Sequence, residues 1–186
     1  MHARNYTALS EAGLLAIEYN GENLDMNAIA VIQLNLQAIA EKVVADLADV
    51  RIPQNIQTAF SPGIVGRFEY TLNPTIRLVP SEIRIGSLFE YVVPFVPIIA
   101  DPDVRAAMQG VLGNIIFAIG HSSLGNYFKT KTTGQVTQAD NSQAEVGPNV
   151  AAMAVALAQH GSHSIKISHK RADGSVTEVE ITPTQK

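Results

Sequence analysis

Three of the five histidines, His160, His163 and His169, fall within ten residues of one another, and His121 stands apart. Imidazole is the commonest protein ligand for transition metals and titrates near neutral pH. Spacing decides what this group could do. On a strand His163 and His169 would share a face with Ile165 and Ile167 between them, roughly 20 Å apart at the usual rise per residue. One ion cannot bridge that gap. His160 and His163 straddle a helix stop and could approach each other, but no acid is placed nearby to complete a zinc set. The reading is therefore no metal site and no cofactor.

Acids give two further candidates. Asp101 and Asp103 flank Pro102, the pattern of a helix start in which an N-cap and a first-turn acid complement the backbone dipole. Glu69 and Glu90 fall on the polar sides of what read as adjacent strands and could face one cleft as an acid–base pair, with His121 a third candidate. Exposed strand positions are the more usual explanation of both glutamates. Gly86-Ser87 and Gly161-Ser162 lack the G-x-S-x-G context of a nucleophile elbow. Gly63-Ile64-Val65-Gly66 lies before a strand, where a phosphate loop needs a helix N-terminus. No P-loop and no G-x-G-x-x-G is present, so no catalytic residue is assigned. Lys129, Lys131, Lys166, Lys170 and Arg171 could make a local basic patch, with Glu178 and Glu180 on the neighbouring strand neutralising much of it.

Composition narrows the classes further. The chain has 186 residues, 46% of them apolar and 16% charged, with a net charge of −4. A charged fraction well below the usual quarter leaves less repulsion between copies and favours self-association. The net charge gives no field for nucleic acid, and the absence of Trp weakens any base-stacking surface. Without cysteine there are no disulfides, thiolate sites or thiol nucleophiles. The first residues lack the apolar core of a signal peptide, and the expected location is cytoplasmic. Ala106 to Phe128 carries no charged residue, yet its solidly apolar part, Val111 to Ile119, is shorter than the ~20 residues of a span. A buried helix is expected there, with no stable membrane span.

The elements that must position these residues read as follows. Leu14 to Tyr19 alternates as a strand ending at Asn20-Gly21. Asp25 to Asp49 is a helix with a stripe of Ile29, Ile32, Leu36, Ile39, Val43 and Leu47. Val31, Leu34 and Val44 lie off that stripe, so something should cover a second side. Ile56 to Phe60 and Ile64 to Leu72 read as strands, and Thr75 to Val79 as a short strand closed by Pro80. Ile83 to Val93 keeps one phase and predicts a single long strand, with Gly86 marking a bulge, a bend or a close backbone approach and Pro94 and Pro97 ending it. A helix follows from Pro102 to about Ile119, with Gly110 and Gly113 allowing close packing and Gly120 as the stop. Leu124, Tyr127 and Phe128 read as a further turn. Thr132 to Asn149 reads as a polar loop or linker, Val150 to His160 as an Ala-rich helix, and Ala172-Asp173-Gly174-Ser175 as the turn of a hairpin from His163 to Thr182.

The expected fold is α+β: a mostly antiparallel sheet with two or three helices on one face. The main body covers 1–131, the polar segment 132–149, and a helix plus hairpin 150–186, packed on the same domain. The expected function is a non-catalytic binding or assembly module that self-associates as a homo-oligomer. Val92, Phe95, Val96, Ile98 and Ile99 are the candidate contact surface. The alternatives are a small enzyme built on Glu69, Glu90 or His121, and a membrane-active protein inserting 91–119.

Overall fold

The computed structural model describes residues 15–21, 25–48, 77–84, 88–95, 102–124, 126–159 and 162–184. Among these the chain order is β1 (Leu15–Gly21), α1 (Met26–Ala48), β2 (Arg77–Arg84), β3 (Leu88–Phe95), α2 (Pro102–His121), β4 (Phe128–Gly134), α3 (Gly147–Gln159), β5 (Ser162–Lys170) and β6 (Val176–Pro183). The strands form one sheet in the order β2-β3-β1-β5-β6-β4. Every neighbouring pair is antiparallel. The fold class is α+β.

The inner face follows from alternation. Leu15, Ile17 and Tyr19 of β1 stand level with His169, Ile167 and Ile165 of β5, and Ile167 and Ile165 stand level with Val179 and Ile181 of β6. All eight are buried. Helix α1 lays Ile32, Leu36, Ile39, Val43 and Leu47 into the same core, α2 adds Leu112, Ile115, Ile116 and Ile119, and α3 adds Val150, Met153 and Leu157. The three helices thus share one side of the sheet.

Asp25 starts α1 as its N-cap: its Oδ1 accepts from the Ala28 N–H at 2.8 Å. The residues off the α1 stripe divide. Val44 is buried, whereas Val31 and Leu34 are exposed. Met26–Leu47 is long and apolar enough by length and composition to cross a membrane. Its stripe Ile32, Leu36, Ile39, Val43 and Leu47 is buried against the sheet and the other helices, while Met26, Val31 and Leu34 are exposed.

Several expectations are corrected. The predicted long strand from Ile83 to Val93 is the facing ends of two strands: β2 and β3 pair antiparallel from Arg77↔Phe95 to Arg84↔Phe89, so the chain reverses between Arg84 and Leu88. Pro80 does not close a strand. Instead β2 runs through it, with the register shifting between Pro80 and Glu82. An edge strand tolerates proline because its outward N–H needs no partner. Pro94 likewise lies inside β3, beyond the last rung with β1, at Leu15↔Val92. Finally, Phe128 opens β4 rather than a helical turn, and β4 pairs with β6 from Phe128↔Pro183 to Gly134↔Thr177. The strands expected at 56–60 and 64–72 lie outside the described residues.

Glycines set how closely α2 meets its neighbours. A Cβ at Gly120 would sit 2.2 Å from Thr132 Oγ1, and the Gly120 carbonyl accepts from Thr130 Oγ1 at 3.2 Å. Gly120 therefore does not stop the helix, which runs on to His121. It lets β4 pass under the last turn.

Candidate functional site

With the helices on one side, the opposite side of strands β1, β5, β6 and β4 carries polar residues ordered by register, and Phe89 and Tyr91 of β3 stand level with Glu18 and Ala16 beside them. Glu18 of β1 stands level with Lys166 of β5, Lys166 with Glu180 of β6, and Glu180 with Lys131 of β4. Across four strands the charges read minus, plus, minus, plus. A second row carries Ala16, Ser168, Glu178 and Thr133 in the same order. Opposite charges at cross-strand positions stabilise a sheet by roughly 0.2–1 kcal/mol per pair. Lys166 Nζ also lies 3.9 Å from Glu178 Oε1 on the diagonal. Glu180 Oε1 accepts from Ser164 Oγ at 2.7 Å, and Ser164 Oγ accepts from Asn20 Nδ2 at 3.3 Å. Glu18, Lys166, Glu178 and Glu180 are half-buried, and Lys131 is exposed.

The charges on this face neutralise one another in alternation. The surface therefore presents a pattern, not a field of one sign, and offers little to a simple polyanion or polycation. What such a pattern can recognise is a surface bearing the complementary alternation.

The edges of the sheet are guarded differently. The β2 edge carries Pro80 and a register shift, and the β4 edge carries Lys129 and Lys131. Prolines, bulges and edge lysines are the usual means of keeping a sheet from adding strands.

A separate polar cluster lies at one end of the molecule. Arg171, read from sequence as part of a basic patch, is turned inward to Asp140, and both side chains are largely buried, 14% and 4% exposed. Arg171 Nη1 donates to the Gln135 carbonyl at 2.7 Å and to Thr177 Oγ1 at 2.6 Å. Asp140 Oδ2 also accepts from the Thr137 N–H and hydroxyl, both at 2.9 Å. Buried Asn114 works beside it. Its Nδ2 donates to the carbonyls of Gly110 and Ala139 at 2.9 and 3.1 Å, and its Oδ1 accepts from the N–H groups of Asn141 and Ser142 at 2.8 and 2.9 Å. That satisfies both donors and both lone pairs of the amide. Asp46 accepts from Ser142 Oγ and the Gln143 N–H, both at 2.8 Å, and Lys42 donates to the Glu145 carbonyl and to Asn149 Oδ1 at 3.1 and 2.8 Å. These groups fasten residues 135–146, which form neither helix nor strand, to α1 and α2. The cluster is a clamp in which Arg171 and Asp140 pair with each other, while Asp46 and Lys42 hold backbone and uncharged side-chain groups.

Comparison with family models, with characterised proteins and with solved structures finds no match for this chain.

Among the described residues the histidines do not gather. His169 is buried on the inner face between Leu15 and Thr177. His121 is exposed at the end of α2, stacked on Phe117 with ring centroids 4.0 Å apart and its Nδ1 3.0 Å from the Phe117 carbonyl. His163 opens β5 at its far end from His169. His160 and Glu69 lie outside the described residues. Glu90 stands opposite Ile17 on β3, whereas Gly120, next to His121, packs on β4. Those strands are four positions apart, roughly 19 Å at the usual spacing. Among the described residues no group of three or more His, Cys, Asp or Glu could hold a metal ion. Of the expected contact residues, Val92 stands level with Leu15 and Pro80, and Phe95 with Arg77. Val96, Ile98 and Ile99 lie outside the described residues.

The alternating row escaped the sequence reading because it needs two registers between distant segments. The hairpin alone shows Lys166 beside Glu180. Glu18 and Lys131 join only when β1 and β4 are placed on either side.

Proposed function

We propose that this protein is a non-catalytic binding or assembly module that self-associates. The observation that carries the reading is the sheet's outer face, left without a helix among the described residues and bearing charges that alternate in sign. The low charge of the whole chain supports it, as do the exposed apolar side chains on α1, where Met26 is 77% and Leu34 70% exposed. Strand β3, which holds Phe95, flanks β1, the strand that begins the charge row, whereas Val92 stands level with buried Leu15, a position of the core side.

Size-exclusion chromatography with light scattering, run from about micromolar to about millimolar chain, tests the reading across the affinity range of specific but reversible association. A mass above that of one chain that grows with concentration is expected. A single-chain mass at every concentration would refute self-association.

A further inference from the structure

We infer that the outer face of the sheet binds a second copy of itself, face to face, about a two-fold axis running along the strands between β5 and β6. The inference rests on the self-association reading and gives it a geometry. It comes from the sign pattern of the row Glu18, Lys166, Glu180, Lys131. A half-turn about an axis parallel to the strands reverses the order of the strands while keeping each row level. Minus, plus, minus, plus becomes plus, minus, plus, minus. Laid on the original, Glu18 meets Lys131 of the partner subunit, and Lys166 meets Glu180 of the partner subunit. The two remaining contacts follow by symmetry, as an isologous interface requires.

The second row obeys the same operation. Glu178 comes to face Ser168 of the partner subunit, and Ala16 faces Thr133 of the partner subunit, so no like charges meet. The other in-plane two-fold, set across the strands along the first row, would put Glu18 on Glu18 and Lys166 on Lys166. Like charges face to face cost several kcal/mol across an interface, so the pattern selects between the two axes. Stacked sheets lie about 10 Å apart, a gap that a lysine and a glutamate reach across from opposite sides. Addition of a strand at either edge is the competing arrangement, and Pro80, the β2 bulge, Lys129 and Lys131 all oppose it.

Glu18 and Lys131 make the test. Within one chain they stand at opposite ends of the row, about 14 Å apart and past the ~8 Å screening length of physiological salt. Their pairing exists only between copies. Glu18→Lys alone and Lys131→Glu alone each place two like-charge contacts in the homodimer, and each should weaken association by about tenfold or more. Mixing the two single variants restores every contact: Lys at 18 meets Glu at 131 in one direction, and native Lys131 meets native Glu18 in the other. Light scattering of the mixture should show association at wild-type concentrations, and raising salt should weaken the wild type. Circular dichroism melts of each variant establish that both fold. The double variant Glu18→Lys with Lys131→Glu should also associate as wild type does. A mixture as dissociated as its components would overturn the two-fold. An assembly indifferent to these substitutions and to salt would overturn the face but leave self-association standing. A wild type that is monomeric throughout would remove both.

Discussion

Two glycines one turn apart on α2 offer a matched measurement. A Cβ built on Gly113 lies 2.4 Å from Asp140 Oδ1 and 3.2 Å from Arg171 Nη2, whereas one built on Gly110 meets nothing within 4 Å. Replacing either glycine by alanine gains about 1 kcal/mol of helix propensity. At Gly110 that gain stands alone. At Gly113 the methyl must displace a carboxylate held by Arg171 and by both donors of Thr137, and breaking a buried ion pair costs roughly 3–5 kcal/mol. The difference leaves Gly113→Ala destabilised by about 2–4 kcal/mol, which for a chain of this length lowers the melting temperature by roughly 4–16 °C. Gly110→Ala should raise it by about 2–4 °C on the same scale. Thermal and urea unfolding, followed by circular dichroism, read both. In an Asp140→Ala background the obstructing oxygen is gone, and Gly113→Ala should then stabilise as Gly110→Ala does, a non-additivity that marks direct contact. Equal stabilisation by both alanines in the wild-type background would show that the clamp is not seated on Gly113.

Three further outcomes follow from the same packing. Asn114→Ala removes four hydrogen bonds and strands a carbonyl and two N–H groups, so it should cost about 3 kcal/mol and speed hydrogen exchange at the Asn141 and Ser142 amides. Gly134 has φ of 99° and would bring a Cβ to 2.0 Å from the Val176 carbonyl oxygen. Gly134→Ala should therefore lower the urea midpoint by the equivalent of about 1–3 kcal/mol, and an unchanged midpoint would mean that β4 ends differently. Asp25→Ala deletes the α1 cap and should cost about 1 kcal/mol, with Asp25→Ser recovering most of it.

Much of this fold is legible in the residues because local chemistry and global packing agree. The 3.6-residue stripe of α1, with Asp25 ahead of it, and the alternating runs around Asp173-Gly174 allow little else. The strand pair β2–β3 is not legible for a physical reason. Residues 83–93 keep their alternation across the reversal, so periodicity alone reads one strand where there are two. Strand β4 is hidden differently. Its inward positions include Thr130 and Thr132 where a strand signal expects aliphatics, because the backbone of α2 at Gly120 comes too close for anything larger. Asn114 and Asp140 each have one local partner, Gly110 and Thr137, but the groups that make them a clamp lie on a loop 25–28 residues from Asn114 and on Arg171, 31 residues from Asp140. The same holds for the charge row, whose meaning depends on strand order.

That strand order has a consequence for how the chain is made. Strand β1 is the first described element to be synthesised and sits at the middle of the sheet, paired with β3 on one side and β5 on the other. Leu15 reaches its partner His169 only after about 150 further residues, some 7–30 s of translation at ordinary rates. Hairpins close within microseconds, so β2–β3 and β5–β6 are ready as soon as they emerge, while the sheet waits on its most distant pairing. Through that interval β1 holds one row of unpaired N–H and C=O groups beside Leu15, Ile17 and Tyr19. A chain cut after Gln159 would carry that open edge permanently and should collect in the insoluble fraction.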